Sequence, residues 1–343
     1  MHRVLPVTTR LRRLVAVLTI VGTTGVVGVG PLTWAATPAS ATATCTATGF
    51  YRATINLTAA VIDPTSTVTG TVDAAGCNIG VYFSPGTTGA VDNALVENSN
   101  YFGIVNNGAS VSVTNSTVTN IGETPLNGDQ HGVGIYFAFE GNSTGTISSN
   151  VVSNYQKGGI VVNGVGSAAI ISGNQVIGQG AVNYIAQNGI QVGFGATASI
   201  TGNTVTGNAY SGTNNASSCG ILVFGGWGYP YVTDVSVVHN TLTNNDVGIG
   251  FYNADASGNI PTTPTHNKAV NNVITDSLTT NVSGNGYPYG YQAGIEDMGN
   301  RDFMVNNTIS GAGYDPANAP SGTFFGTIDT SIGSANPLVV ANK

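Results

Sequence analysis

The chain has 343 residues, of which only 7% are charged and 48 are glycine, while 41% are hydrophobic. Such a composition excludes a disordered polar chain and a helix bundle, and the glycines do not recur at every third position as a collagen requires. Four arginines lie in the first 13 residues; beyond them five basic residues face sixteen acidic ones, a net −11 that leaves no basic stripe for a nucleic acid.

Residues 1–41 read as an export signal. Arg3, Arg10, Arg12 and Arg13 precede an apolar run from Leu14, and Ala39-Ser40-Ala41 supplies a small-x-small cleavage site. Glycines at 22, 25, 28 and 30 break the run and argue against a membrane anchor, and no later segment is apolar enough to span a bilayer. The expectation is a secreted, extracellular protein, monomeric after signal removal. In an oxidising compartment Cys45 and Cys77 are the natural disulfide pair, leaving Cys219 as a buried thiol. Residues 42–75 read as an N-terminal cap with the first strands.

From residue 76 to 310 a two-part pattern recurs. Its first part is polar-x-Gly-aliphatic followed by alternation: Gln130-His131-Gly132-Val133, Gln156-Lys157-Gly158-Gly159-Ile160, Gln187-Asn188-Gly189-Ile190, Ser218-Cys219-Gly220-Ile221, Asp246-Val247-Gly248-Ile249 and Gln292-Ala293-Gly294-Ile295. Tyr101-Phe102-Gly103-Ile104 is a looser copy. The second part is apolar-x-x-Asn-x-apolar-Ser/Thr, centred on Asn150, Asn174, Asn203, Asn240, Asn272 and Asn307, with spacings of 24, 29, 37, 32 and 35 residues. Two short strands per period, repeated, predict a solenoid whose coils stack ~4.8 Å apart, a column of eight or nine coils and roughly 40 Å. Residues 311–343 lack the pattern and read as a C-terminal cap or tail.

These Gly-Ile strands and Asn-x-Val/Ile-Thr turns resemble the right-handed parallel β-helix of the pectin-lyase-like superfamily over about residues 62–310, closest in style to its exported carbohydrate-binding and sugar-hydrolase repeat proteins. The resemblance implies an all-β solenoid and a polysaccharide or cell-surface glycan as partner. It transfers no mechanism, because the Asn-Thr-Asp, Asp-Asp and Arg-Ile-Lys elements of the hydrolases and the arginine signature of the pectate lyases are missing.

Several groups remain as candidates for chemistry. One Asn per coil in an apolar frame predicts a stacked amide ladder. The positions before the repeat glycine predict a polar column of Gln130, Gln156, Gln187 and Asn188, with His131 and Lys157 as neighbours in adjacent coils. Beside them lies the insertion Glu123-Thr124-Pro125-Leu126-Asn127-Gly128-Asp129-Gln130-His131. An exposed Lys157 or His131 is the candidate base for β-elimination from a uronate, and Asp129, Glu123 and Glu140 are the candidate acids for hydrolysis. Tyr136 and Tyr155 are candidate stacking faces for sugar rings. No ligand spacing marks a metal site and no cofactor is expected, with Ca²⁺ the one ion a uronate substrate would bring into play. Downstream, Asp297 is expected to point inward and pair with Arg301, with Glu296 outward. The Thr-x-Thr positions are read as ordinary strand residues rather than an ice-binding face. The aromatic loops at 224–231 and 287–291 are candidate walls of a sugar groove. The alternative to a glycan-cleaving enzyme is a non-catalytic surface or adhesion protein.

Overall fold

The computed structural model describes residues 44–282, 290–331 and 333–343; the signal segment and Tyr287–Tyr289 lie outside them. It is a right-handed parallel β-helix. One sheet holds eleven strands, the first of which, Thr46–Arg52, runs antiparallel to Ile55–Ile62; the others follow in parallel. The strands of the other faces join in a second, 17-stranded parallel sheet.

Each regular coil carries three strands rather than the two expected. Gly158–Asn163 lies on the first sheet, Ala168–Ser172 on the next face, and Gln175–Val182 on the third. The repeat Asn occupies the bend between the last two, so its flanking apolar residues belong to different strands. In-register pairing brings Val81, Ile104, Ile135, Ile160, Ile190, Ile221, Ile249 and Ile295 into one column. All eight are fully buried, each stabilising the coil by roughly 1.5–3 kcal/mol.

The repeat glycine has a steric cause. A Cβ on Gly189 would stand 2.7 Å from the Gly220 carbonyl oxygen and 2.4 Å from Val205 of the third face. Gly103, Gly134, Gly159, Gly220 and Gly248 meet the next coil's carbonyl in the same way. This ladder corrects the expected register. The repeat glycine of its coil is Gly134, not Gly132, and Val133 stands opposite both Phe102 and Gly158. His131 and Lys157 are therefore not column neighbours: His131 lies in the insertion and Lys157 just before its strand.

The asparagine ladder is present as expected. Each Oδ1 accepts from the backbone N–H and the side-chain amide of the preceding ladder residue, from Asn150 through Asn307, and Asn342 extends it by one rung. Asn342 belongs to the segment read as a tail. There Phe324–Asp329 and Leu338–Val340 pair in parallel with the strands before them, so the coils continue beyond residue 310. The Cys45–Cys77 disulfide is formed, and Cys219 is a buried thiol.

Candidate functional site

Thr46–Arg52 folds back over the outside of the first sheet. Phe50 packs on Tyr82 and Phe102, and the Arg52 guanidinium sits 4.2 Å above the Phe50 ring. From there Arg52 reaches Glu140 at 2.8 Å and the Tyr136 hydroxyl at 3.2 Å. The insertion after Thr117–Thr119 approaches the same place from the other side. Between them lies a cleft of about 400 Å³ lined by Arg52, Tyr101, Phe102, Asp129, Gln130 and His131.

A single fully buried side chain fixes the insertion. Gln156 accepts from the Glu123 and Asn127 amides at 3.1 Å and donates to the Asp129 carbonyl at 2.8 Å. The loop thereby presents Glu123, Asp129 and His131 together. His131 Nε2 lies 2.8 Å from Glu123 Oε1, and its ring stacks on Tyr101 at 3.9 Å. Asp129 is oriented by the Asn127 side-chain amide at 3.0 Å. Burial, followed by the Glu123 and Asp129 charges, raises the Tyr101 pKa.

Other expected site residues serve the scaffold. Gln156 is the clamp just described. Gln187 is fully buried and donates to the Tyr155 and Gln156 carbonyls. Asn188 is buried and accepts from the Cys219 amide. These side chains are interior, where their amides satisfy backbone groups of the neighbouring coils. Tyr155 cannot stack on a sugar: it is fully buried, with its hydroxyl donating to Asn208 at 2.6 Å. The buried Tyr136 stacks on Phe102 at 4.9 Å, beneath Arg52. Lys157 is partly buried rather than exposed; its ammonium donates to the Ala186 carbonyl, and burial lowers its pKa to about 8. Gln130 alone of the column lines the cleft, its amide donating to the Gly128 carbonyl.

Further along, Asp297 receives the Ser334 hydroxyl and lies against Asp302, not Arg301. Burial raises both carboxyls. Glu296 is buried and accepts from the Tyr252 hydroxyl.

A second recess of about 390 Å³ shares Arg52 and is lined by Tyr51, Tyr136, Phe139, Glu140, Phe194 and Tyr229. From it an aromatic strip crosses the coils. Phe139 meets Phe194 at 5.6 Å, Phe194 meets Tyr229 at 4.8 Å and Phe224 at 5.5 Å, and Phe224 stacks on Trp227 at 5.2 Å. Phe139 and Tyr229 are 38% and 52% exposed, so their rings are available to a ligand. The 224–231 loop supplies Phe224, Trp227 and Tyr229 to this strip. Arg52, Tyr101, Phe139 and Phe194 were not identified from the sequence. The scarcity of cations was a signal for Arg52; the rings are separated along the chain and assembled only by stacking.

No family model matches the chain, and no curated protein matches it. Among solved structures it is similar to the Dettilon tailspike protein gp208, with 14% identity over 82% of this chain and 61% of that one, TM-score 0.41. It is also similar to the DFA-IIIase from Arthrobacter chlorophenolicus A6, solved in complex with GF2, with 13% identity over 76% and 56%, TM-score 0.37. The tailspike protein gp49 from Pseudomonas phage LKA1 matches with 13% identity over 75% and 46%, TM-score 0.32. The chain spans less than two thirds of the length of each. No helix among the described residues is long and apolar enough to cross a membrane.

Proposed function

We propose that this is an exported protein that binds a neutral polysaccharide along the outer face of its first sheet, with the Glu123–Asp129–His131 cleft as the reactive end of that path. The observation that carries the reading is the exposed aromatic strip leading to a polar cleft. Aromatic faces pack on the apolar faces of sugar rings, while a few polar groups fix orientation. From the strand Phe102–Asn106 to Cys219–Gly226 the path covers four coil steps, ~19 Å, the span of a short oligosaccharide.

Charge selects the substrate class. Glu123, Asp129 and Glu140 surround the path, Arg52 is paired to Glu140, and the chain beyond its first 13 residues is strongly acidic. Such a surface repels a polyuronate. Elimination also needs a free base at the cleft; Lys157 does not line it and is turned to the Ala186 carbonyl, and His131 Nε2 is paired with Glu123. Chain cleavage by hydrolysis at the cleft is the reaction these groups support.

The test incubates the purified protein with neutral and uronic polysaccharides, following binding, new reducing ends and the ultraviolet absorbance of unsaturated uronides. Binding and reducing ends with a neutral polymer are expected. Phe194→Ala and Tyr229→Ala should each weaken binding about tenfold, a loss of ~1.4 kcal/mol. Unsaturated products would overturn the hydrolytic reading, and unchanged affinity in both variants would overturn the binding path.

A further inference from the structure

We infer that Glu123, Asp129 and His131 form a site for one divalent transition cation of the Zn²⁺ class. One ligating atom from each residue lies within 4.8 Å of the other two, and His131 Nε2 and Glu123 Oε1 are 2.8 Å apart. Zinc bonds of about 2.0–2.2 Å to nitrogen and oxygen place the ligands of a tetrahedral ion roughly 3.3 Å from one another, inside that range. Asp129 and His131 line the cleft and Glu123 stands beside His131, so three protein ligands would leave the remaining position of the ion open to water or a sugar hydroxyl, the arrangement of a working rather than a structural zinc.

The surroundings match what such ligands need. Metal-bound groups are held by partners that fix their orientation. Tyr101 lies parallel to the His131 ring, with 6° between the planes. Asn127 holds Asp129 at both ends, donating to Oδ2 and accepting from the backbone N–H, which leaves Oδ1 without a hydrogen bond. Buried Gln156 anchors the backbone at Glu123, Asn127 and Asp129. The Arg52 charge in the same cleft is engaged by Glu140. An imidazole nitrogen with two carboxylates suits zinc, cobalt or nickel; Ca²⁺ takes six to eight oxygens, which this cluster does not offer. A sequence-only reading finds no such site, because the spacing from 123 to 129 to 131 follows no familiar ligand pattern.

The inference deepens the glycan reading by naming the group through which the cleft acts: the ion would polarise a bound water or hydroxyl at the end of the aromatic path. Ion binding is measured with no glycan present, so the two readings fail separately. The chelator-treated protein is titrated with Zn²⁺ by calorimetry and with Co²⁺ by visible absorbance. One equivalent and cobalt d–d bands are expected. Asp129→Asn and His131→Ala should each lower Zn²⁺ affinity by more than tenfold. Asp234→Asn, which alters the exposed acid 3.9 Å from His266, should leave it unchanged. Asp129 is exposed, so its variant tests the site even where the histidine variant misfolds. No stoichiometric binding, binding retained in Asp129→Asn, or Ca²⁺ bound as tightly as Zn²⁺ would overturn the proposal.

Discussion

Asn203→Ala tests whether the amide ladder holds the coils together. Asn203 is 1% exposed. Its Oδ1 accepts from the Asn174 backbone N–H and side-chain amide, both at 2.9 Å. Its own amide donates to the Ile171 carbonyl at 3.0 Å and to Asn240 at 2.9 Å. Alanine removes all four bonds. Asn174 keeps its amide bond to Ile147 and Asn240 keeps its bond from the Asn203 backbone, but the Asn174 N–H and the Ile171 carbonyl lose these partners. A buried group left unsatisfied costs about 1–3 kcal/mol, so the two together cost about 2–6 kcal/mol. Asn342 makes the same contacts with Asn307 at the end of the ladder, but is partly exposed, and water can replace its amide. Asn342→Ala should therefore cost only about 1 kcal/mol. Urea unfolding of both variants measures the difference. Equal losses, or a loss below about 1 kcal/mol for Asn203→Ala, would refute the ladder as a source of stability.

Gly189→Ala should destabilise by about 1–3 kcal/mol through overpacking against the Gly220 carbonyl and Val205, seen as a lower thermal midpoint; an unchanged midpoint would remove the steric reason for the repeat glycine. Reducing Cys45–Cys77, which closes a separation of 32 residues, should cost about 3–4 kcal/mol by chain entropy. Because that bond tethers the strand carrying Arg52, reduction should also weaken glycan binding; full affinity after reduction would show the strand docks without it. Burial raises the Asp246 carboxyl to about 8, so between roughly pH 4 and pH 8 the native state holds a proton that the unfolded chain has released. Stability should fall across that window as pH rises. Asp246→Asn should flatten the slope in urea unfolding at pH 5 and pH 8, whereas an unaltered slope would assign it to other groups.

The fold was legible because its demands repeat. An isoleucine column, a glycine under each neighbouring carbonyl and an amide at each bend are imposed in coil after coil, so they survive loops of different length. The third strand of the coil was missed because the bend at Asn is only two residues, as Gly173 and Asn174 between Ser172 and Gln175 show, and the apolar positions on both sides read as one run. The last coil was missed for a related reason. Phe324–Asp329 has Thr327 where other coils carry glycine, although the approach of the Gly294 Cβ position to the Thr327 carbonyl, 2.6 Å, is preserved.

The site was legible only as far as its insertion. Glu123, Asp129 and His131 stood out because nothing in the repeat asks for them. Lys157 stood out for the wrong reason: aligning Gly132 with Gly158, one residue off the true pairing of Val133 with Gly158, set it beside His131. In a strand, the meaning of a residue depends on its parity, so a small slip in register exchanges scaffold for surface. What no local reading reaches is the other half of the cleft. Arg52 meets Glu140 across 88 residues of sequence, brought there by a hairpin that folds back over finished coils. The scaffold makes such a meeting inexpensive to evolve. The coil geometry is carried by interior columns, so an insertion in one coil and a terminal strand from another can converge on the outer face without disturbing the ladders beneath them.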